Sequence, residues 1–247
     1  MSLDVNVRTA RYGARTVLED ISFSAPKGSL VAVIGRNGSG KSTLVSCVAG
    51  LMPFEGQVVA NGTDVCQAGV RTRARHVSVL LQNLGRPHVT VRELVSFGRN
   101  PYRSVLNRES DADRAAVEAA LTTADLWGLA DSYVDCVSGG EARRAYLGAI
   151  LAQDTPVVVL DEATAFMDPD NERKLLSVAR ALADGGRTVL SVMHDLSSAV
   201  EIADRILLLD GGRQLWFGKT ADLLGTDLIE RALAVRRYTA DGRIFFA

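Results

Sequence analysis

Apolar and polar residues alternate through Val5-Asn6-Val7 and Ile21-Ser22-Phe23-Ser24, the two-residue period of strands buried on one face only. These two segments predict an antiparallel sheet near the start of the chain. The pattern then changes. Ser29-Leu30-Val31-Ala32-Val33-Ile34 is apolar almost without interruption and ends at Gly35, as a central strand covered on both faces does. Ser42 to Leu51 predicts a helix that stops before Pro53, Gly56 to Gly62 a short strand entering a turn, and Val77 to Gln82 a further strand. From Thr90 to Asp154 the character is helical: Val91, Leu94, Val95 and Gly98 fall at helical spacing, Asp111 to Asp125 is rich in alanine and charge, and Arg144 to Gln153 predicts another helix. Strand patterns return at Val157–Leu160, Thr188–Val192 and Arg205–Leu209, separated by helices near Glu172–Ala183 and Leu196–Ile202. Such alternation implies an α/β fold with a mainly parallel core sheet. The helical stretch, roughly residues 84–154, is then an insertion into a single domain spanning 1–247, beside an antiparallel β subdomain. The tail from Tyr238 to Ala247 predicts a final short strand or hairpin.

Composition narrows the class only a little. The 247 residues suffice for one large domain or two small ones, and 47% hydrophobic with 23% charged residues describes an ordinary soluble globular protein. A formal net charge of −1 offers no bulk attraction to nucleic acid. No apolar run approaches the roughly 18 residues needed to cross a bilayer, and Met1 to Ala10 has no signal-peptide core. Cys47, Cys66 and Cys136 lack metal-ligand spacing and read as isolated reduced thiols; His76 and His88 read as structural.

The candidate chemistry sits at the ends of the predicted strands. Gly35-Arg36-Asn37-Gly38-Ser39-Gly40-Lys41-Ser42 has the spacing of a phosphate cradle, in which glycines let successive backbone N–H groups point inward ahead of a helix N-terminus. Lys41 is placed to reach β- and γ-phosphates, Ser42 to ligate Mg²⁺, and Thr43 to donate on the α-phosphate side. Asp161 and Glu162 end an apolar strand at the edge where such sheets bind ligands, Asp161 suited to hold Mg²⁺ and Glu162 to polarise an attacking water. His194 ends the next strand and falls beside the γ-phosphate. Gln82 ends another, and its spacing fits a metal and water ligand or a surface glutamine equally well. Tyr12 offers a face on which a purine could stack, though spacing alone does not single it out.

Together with Val137-Ser138-Gly139-Gly140-Glu141, these segments resemble the nucleotide-binding subunits of ATP-binding cassette (ABC) transporters over essentially the whole chain. Six elements match in order: Tyr12, the P-loop 35–42, Gln82, the signature 137–141, the acidic strand 157–162 and His194. Ala165-Phe166-Met167-Asp168 occupies the D-loop position. The resemblance implies a P-loop NTPase fold, ATP and Mg²⁺ as cofactors, and a head-to-tail dimer. In that dimer each ATP lies between Gly35, Asn37, Gly38, Ser39, Gly40, Lys41, Ser42 and Thr43 of one copy and Ser138, Gly139, Gly140 and Glu141 of the other. Two positions depart from the family pattern. Val137 replaces the usual leucine, and Ala163 stands where importer cassettes generally have proline and exporter-type cassettes more often have Glu-Ala-Thr. Every hydrolytic group is present, so the resemblance implies an active ATPase.

A single cassette, without fused membrane helices, coiled coils or a second cassette, favours an importer subunit over an exporter, a DNA-repair or a translation ATPase. The segment Thr90–Val95 with Phe97–Tyr102, the run Leu151–Pro156 and His194-Asp195-Leu196 resemble importers of iron–siderophore complexes, haem and cobalamin. This resemblance implies an iron chelate as first cargo, with haem, cobalamin and a different metal substrate as alternatives. The implied partners are a second copy, polytopic permease subunits at the cytoplasmic face of the membrane and, indirectly, a substrate-binding protein. No nucleic acid is among them.

Overall fold

A computed structural model describes residues 3–103, 109–163, 169–240 and 242–247. The first two strands, β1 (Leu3–Tyr12) and β2 (Arg15–Ala25), form a hairpin longer than the alternating segments alone predict. After β3 (Leu30–Gly35) and α1 (Lys41–Val48), the chain returns as β4 (Glu55–Ala60) and a two-residue β5 (Thr63–Asp64), completing an antiparallel sheet of order β2-β1-β4-β5. Helix α2 (Val70–Arg73) leads into β6 (Val77–Leu80). Then come α3 (Val91–Phe97), α4 (Asp111–Thr123) and α5 (Gly139–Gln153). The α/β alternation resumes with β7 (Val157–Asp161), α6 (Pro169–Asp184), β8 (Thr188–Val192), α7 (Leu196–Ile202) and β9 (Arg205–Asp210). Strand β10 (Arg213–Lys219), short helices α8 (Thr220–Leu224) and α9 (Leu228–Leu233), and the hairpin β11 (Arg237–Ala240) and β12 (Arg243–Phe246) close the chain.

The second sheet has the order β10-β9-β3-β8-β7-β6, and every neighbouring pair is parallel except β10 with β9. Its central strands are buried at nearly every position, which is why their sequences lack alternation. One face packs on the antiparallel sheet and α1, through Leu18, Val33, Leu44 and Val159 among others. The opposite face is covered by α5, α6 and α7, through Leu147, Ile150, Leu175 and Leu208.

A third apolar cluster joins α3, α4 and α5 around Val91, Val95, Leu121 and Ala145. All three helices start at a capping box, Thr90 with Glu93, Ser110 with Asp113, and Ser138 with Glu141. In each, side chain and backbone satisfy one another's N-terminal donors. Helix α5 faces two ways. Leu147 and Ile150 pack on the core sheet, whereas Ala142, Ala145 and Ala152 belong to the helical cluster.

Candidate functional site

Parallel pairing sets the heights of the candidate residues. Leu80 of β6 pairs with Leu160 of β7, so Gln82 and Glu162, each two residues further on, emerge side by side. Asp161 pairs with Val192 of β8, and His194 follows two residues later. Strand β3 lies on the other side of β8 and runs out at Gly35, where the glycine loop begins. All of these groups therefore meet above the carboxyl ends of adjacent strands.

A cavity of about 450 Å³ opens there, lined by Arg15, Val17, Asn37, Gly38, Gly40, Lys41, Ser42, Thr43, Gln82, Glu162 and His194. The loop closes on itself at Gly40, which adopts φ 97° immediately before α1. That left-handed backbone favours glycine, and a Cβ there would lie 3.3 Å from the Val17 carbonyl oxygen and would have to displace the Leu18 side chain, 2.4 Å away at Cδ2. The Lys41 ammonium donates to the carbonyls of Gly35 (2.8 Å) and Arg36 (3.0 Å), and burial lowers its pKa against the pull of Glu162 and Asp161. Ser42 Oγ donates to Asp161 Oδ1 at 3.2 Å. Burial raises the Asp161 pKa, the bond from Ser42 works against that rise, and the neighbouring Glu162 adds to it.

Glu162 is the centre of the opposite wall. Its carboxylate accepts from Gln82 Nε2 and contacts His194 Nε2 at 2.6 Å, with only 12% of the side chain exposed. Its backbone sits at φ 49°, left-handed for a residue with a Cβ, a conformation that costs about 1 kcal/mol and is held by its surroundings. Part of that hold comes from Arg143 of α5, whose guanidinium donates to the Glu162 carbonyl at 3.1 Å and to the Gln82 carbonyl at 2.6 Å.

The sequence-derived candidates thus divide. Asn37, Gly38, Gly40, Lys41, Ser42, Thr43, Gln82, Glu162 and His194 line one cavity, and Asp161 lies beneath it, bonded to Ser42. Gly35 forms the base of the loop through its carbonyl. Ser39 is turned inward: its amide donates to Arg36 at 3.1 Å, and its hydroxyl is buried without a partner among the described residues. Tyr12 ends β1 opposite Arg15, 58% exposed, and the wall on that side is made by Arg15 and Val17, which spacing did not single out. Ser138 and Gly139 are exposed and, with Gly140 and Glu141, lie outside the cavity lining; Glu141 accepts from the Ser138 amide at 2.8 Å. Asp168 falls outside the described residues. His76 bonds Thr63 and His88 bonds Asp135, each as a side-chain partner.

The oxygen donors of Ser42 and Asp161, already in contact, suit a hard cation such as Mg²⁺. The glycine loop, buried ammonium and helix start beside them suit a polyphosphate. The fold and this arrangement define a nucleoside-triphosphate-binding protein of the P-loop type.

Comparison with known proteins carries the assignment further. The family profile described as ABC transporter matches residues 18–165. The achromobactin transport ATP-binding protein CbrD of Dickeya dadantii is 36% identical over 90% of this chain and 84% of its own length. The hemin import ATP-binding protein HmuV of Nocardia farcinica is 39% identical over 88% and 76%. Among solved structures, the ATP-binding cassette MJ0796, dimeric in a post-hydrolysis state with ADP and Pi, superposes with a TM-score of 0.77 at 25% identity, covering 89% of this chain and 99% of that one. The chain belongs to the ABC transporter family and is one of its ATPases.

Proposed function

We propose that this chain is the ATP-hydrolysing subunit of an importer that takes up an iron chelate across the cytoplasmic membrane. The observation that carries the hydrolytic part is the Glu162 carboxylate held between Gln82 and His194, facing the same cavity as Lys41, Ser42 and Thr43. In this reading the loop from Gly35 to Gly40 wraps the phosphates, Lys41 neutralises the β- and γ-phosphates, and Thr43 reaches the α-phosphate. Ser42 and Asp161, with Gln82, would hold Mg²⁺, whose charge offsets that of the phosphates. Glu162 polarises the attacking water, and His194 orients it against the γ-phosphate. Tyr12, at the rim beside Arg15, stacks on the adenine.

Ser138, Gly139, Gly140 and Glu141 serve the site of a second copy. Their position outside their own chain's cavity supports this head-to-tail arrangement. ATP binding would close the pair, and the movement would pass to permease subunits through the segment from Gln82 to Arg103. The subunit then works at the cytoplasmic face. No described helix is long and apolar enough to cross a membrane, so the permease would supply the anchorage.

Cargo class rests on the relatives, which include transport proteins named for achromobactin and ferric enterobactin as well as hemin. Haem is the second reading, favoured by the 39% identity to the hemin import protein. Substituting Glu162→Gln tests the hydrolytic assignment: kcat should fall by a factor of about 10² to 10⁴ while ATP still binds. Unchanged turnover would remove Glu162 from its role. Loss of labelled ferric-siderophore uptake, with haem uptake intact, in cells lacking the chain would support the cargo class; the converse would replace it with haem.

A further inference from the structure

Arg143 lies outside the nucleotide cavity, and the sequence gives it no motif position beyond its place five residues into the helix that opens at Ser138. It is nevertheless 7% exposed, an unusual environment for a guanidinium, and it stands at the head of the stripe Arg143, Leu147, Ile150 with which α5 faces the core sheet. Among its bonds are those to the main-chain oxygens of Gln82, at 2.6 Å, and Glu162, at 3.1 Å. Those two residues follow the ends of neighbouring strands, and their side chains bond each other at the candidate water site. One planar fork therefore ties both backbones to a helix whose first turn is the signature loop. A second tie runs alongside, from Arg86 Nη1 to the Val137 carbonyl at 3.2 Å.

We infer that Arg143 is a positioning residue for hydrolysis: it fixes the main chains of Gln82 and Glu162 at their working height and couples them to the signature helix. The geometry needs an arginine. Two carbonyls on different strands are met by two nitrogens of one rigid group, a span that a lysine ammonium does not match. The left-handed backbone of Glu162 gives the bond a task, because its carbonyl is held where an ordinary strand would not send it. The consequence reaches across the assembly. Movement of α5 when the loop at 138–140 meets a phosphate is passed by Arg143 to the carboxylate of the chain's own site, so each site reports its partner's occupancy. This inference rests on the hydrolytic role proposed for Glu162.

The test uses the full chain with Arg143→Met and Arg143→Lys, alone and combined with Glu162→Gln. Steady-state kinetics give kcat and KM, and a fluorescent ATP analogue gives affinity. A positioning role predicts kcat lowered roughly 10- to 100-fold in Arg143→Met, with affinity within about twofold of wild type. Arg143→Lys should recover part of the loss, and Arg143→Met should slow the Glu162→Gln variant no further. Where Arg143→Met does not fold, Arg143→Lys carries the same comparison. Wild-type kcat in both variants overturns the inference; so does a parallel loss of affinity and kcat, or an equal slowing in the Glu162→Gln background. Failure of the underlying reading looks different: Glu162→Gln itself would then turn over at the wild-type rate.

Discussion

The contact between α3 and α5 yields a prediction whose size follows from two glycines. A Cβ at Gly98, which ends α3, would lie 2.1 Å from the Ala149 carbonyl oxygen and 3.0 Å from the Gln153 amide nitrogen. An ordinary carbon–oxygen contact needs about 3.3 Å, so the first distance falls short by about 1 Å. Both obstructing atoms belong to the backbone of α5, which cannot rotate aside. Gly98→Ala must therefore drive α3 and α5 apart, across a cluster in which Val91, Val95 and Ala145 are fully buried. Overpacking of this kind costs about 1–3 kcal/mol, and the better helix propensity of alanine offsets less than about 1. The net loss is about 1–2 kcal/mol, and at about 2–4 °C per kcal/mol for a chain of this size the melting temperature should drop by roughly 2–8 °C. Gly148→Ala is the control within the same interface. Its Cβ would meet Leu126 Cδ1 and Val95 Cγ2, each at 2.9 Å, and these are side-chain ends that can shift. It should cost less than Gly98→Ala. Thermal unfolding followed by circular dichroism at fixed concentration reads both. If Gly98→Ala melted within about 1 °C of wild type, or Gly148→Ala melted lower than Gly98→Ala, the reasoning from close helix approach would be refuted.

Other expectations follow from buried charge and thiols. Burial works against ionisation of Asp113, but bonds from Ser110 and the Arg99 guanidinium at 2.9 Å overcome it and bring its pKa down to about 2. A carboxylate depressed in the folded state stabilises the protein above its unfolded pKa near 4 and loses that contribution as pH falls toward 2. Asp113→Asn should therefore cost about 2 kcal/mol at pH 7 and less than about 0.5 kcal/mol near pH 2, in urea melts at the two pH values. Cys47 is buried, and that burial, with Cys66 nearby, pushes its thiol up to about 12, whereas Cys66 and Cys136 are exposed. A thiol reagent at pH 8 should label Cys66 and Cys136 and reach Cys47 only in denaturant; rapid labelling of Cys47 in the native protein would contradict this burial.

Much of this architecture is legible in the sequence because its signals are strong and local. The nearly continuous apolar runs of β3 and β7 follow from burial on both faces, and the tail hairpin appears as β11 and β12. Strand β10 escaped that reading for a definable reason. Its register shifts between Gln214 and Trp216, so the alternation by which a strand is recognised is broken there. Helices α8 and α9 span five and six residues, too short to show a period. At the site, spacing brought out the groups that end strands. Arg15, Val17 and Arg143 come from a hairpin and a helix, and only the fold brings them near. For Arg143 a signal existed: an arginine in register with Leu147 and Ile150 on a buried helical stripe. Ser39 shows the opposite limit, since its position in the glycine loop does not reveal that its hydroxyl turns inward.

The loop at 138–140, exposed at Ser138 and Gly139, is proposed to complete the ATP site of another copy. Light scattering on the Glu162→Gln chain, with and without Mg·ATP, tests it most directly when Ser138→Arg is added. The expected outcome is a monomer without nucleotide, a dimer with Mg·ATP, and no dimer once Ser138→Arg is present, although that variant still binds ATP. A Ser138→Arg chain that dimerised as before, or that lost ATP binding as a monomer, would contradict it.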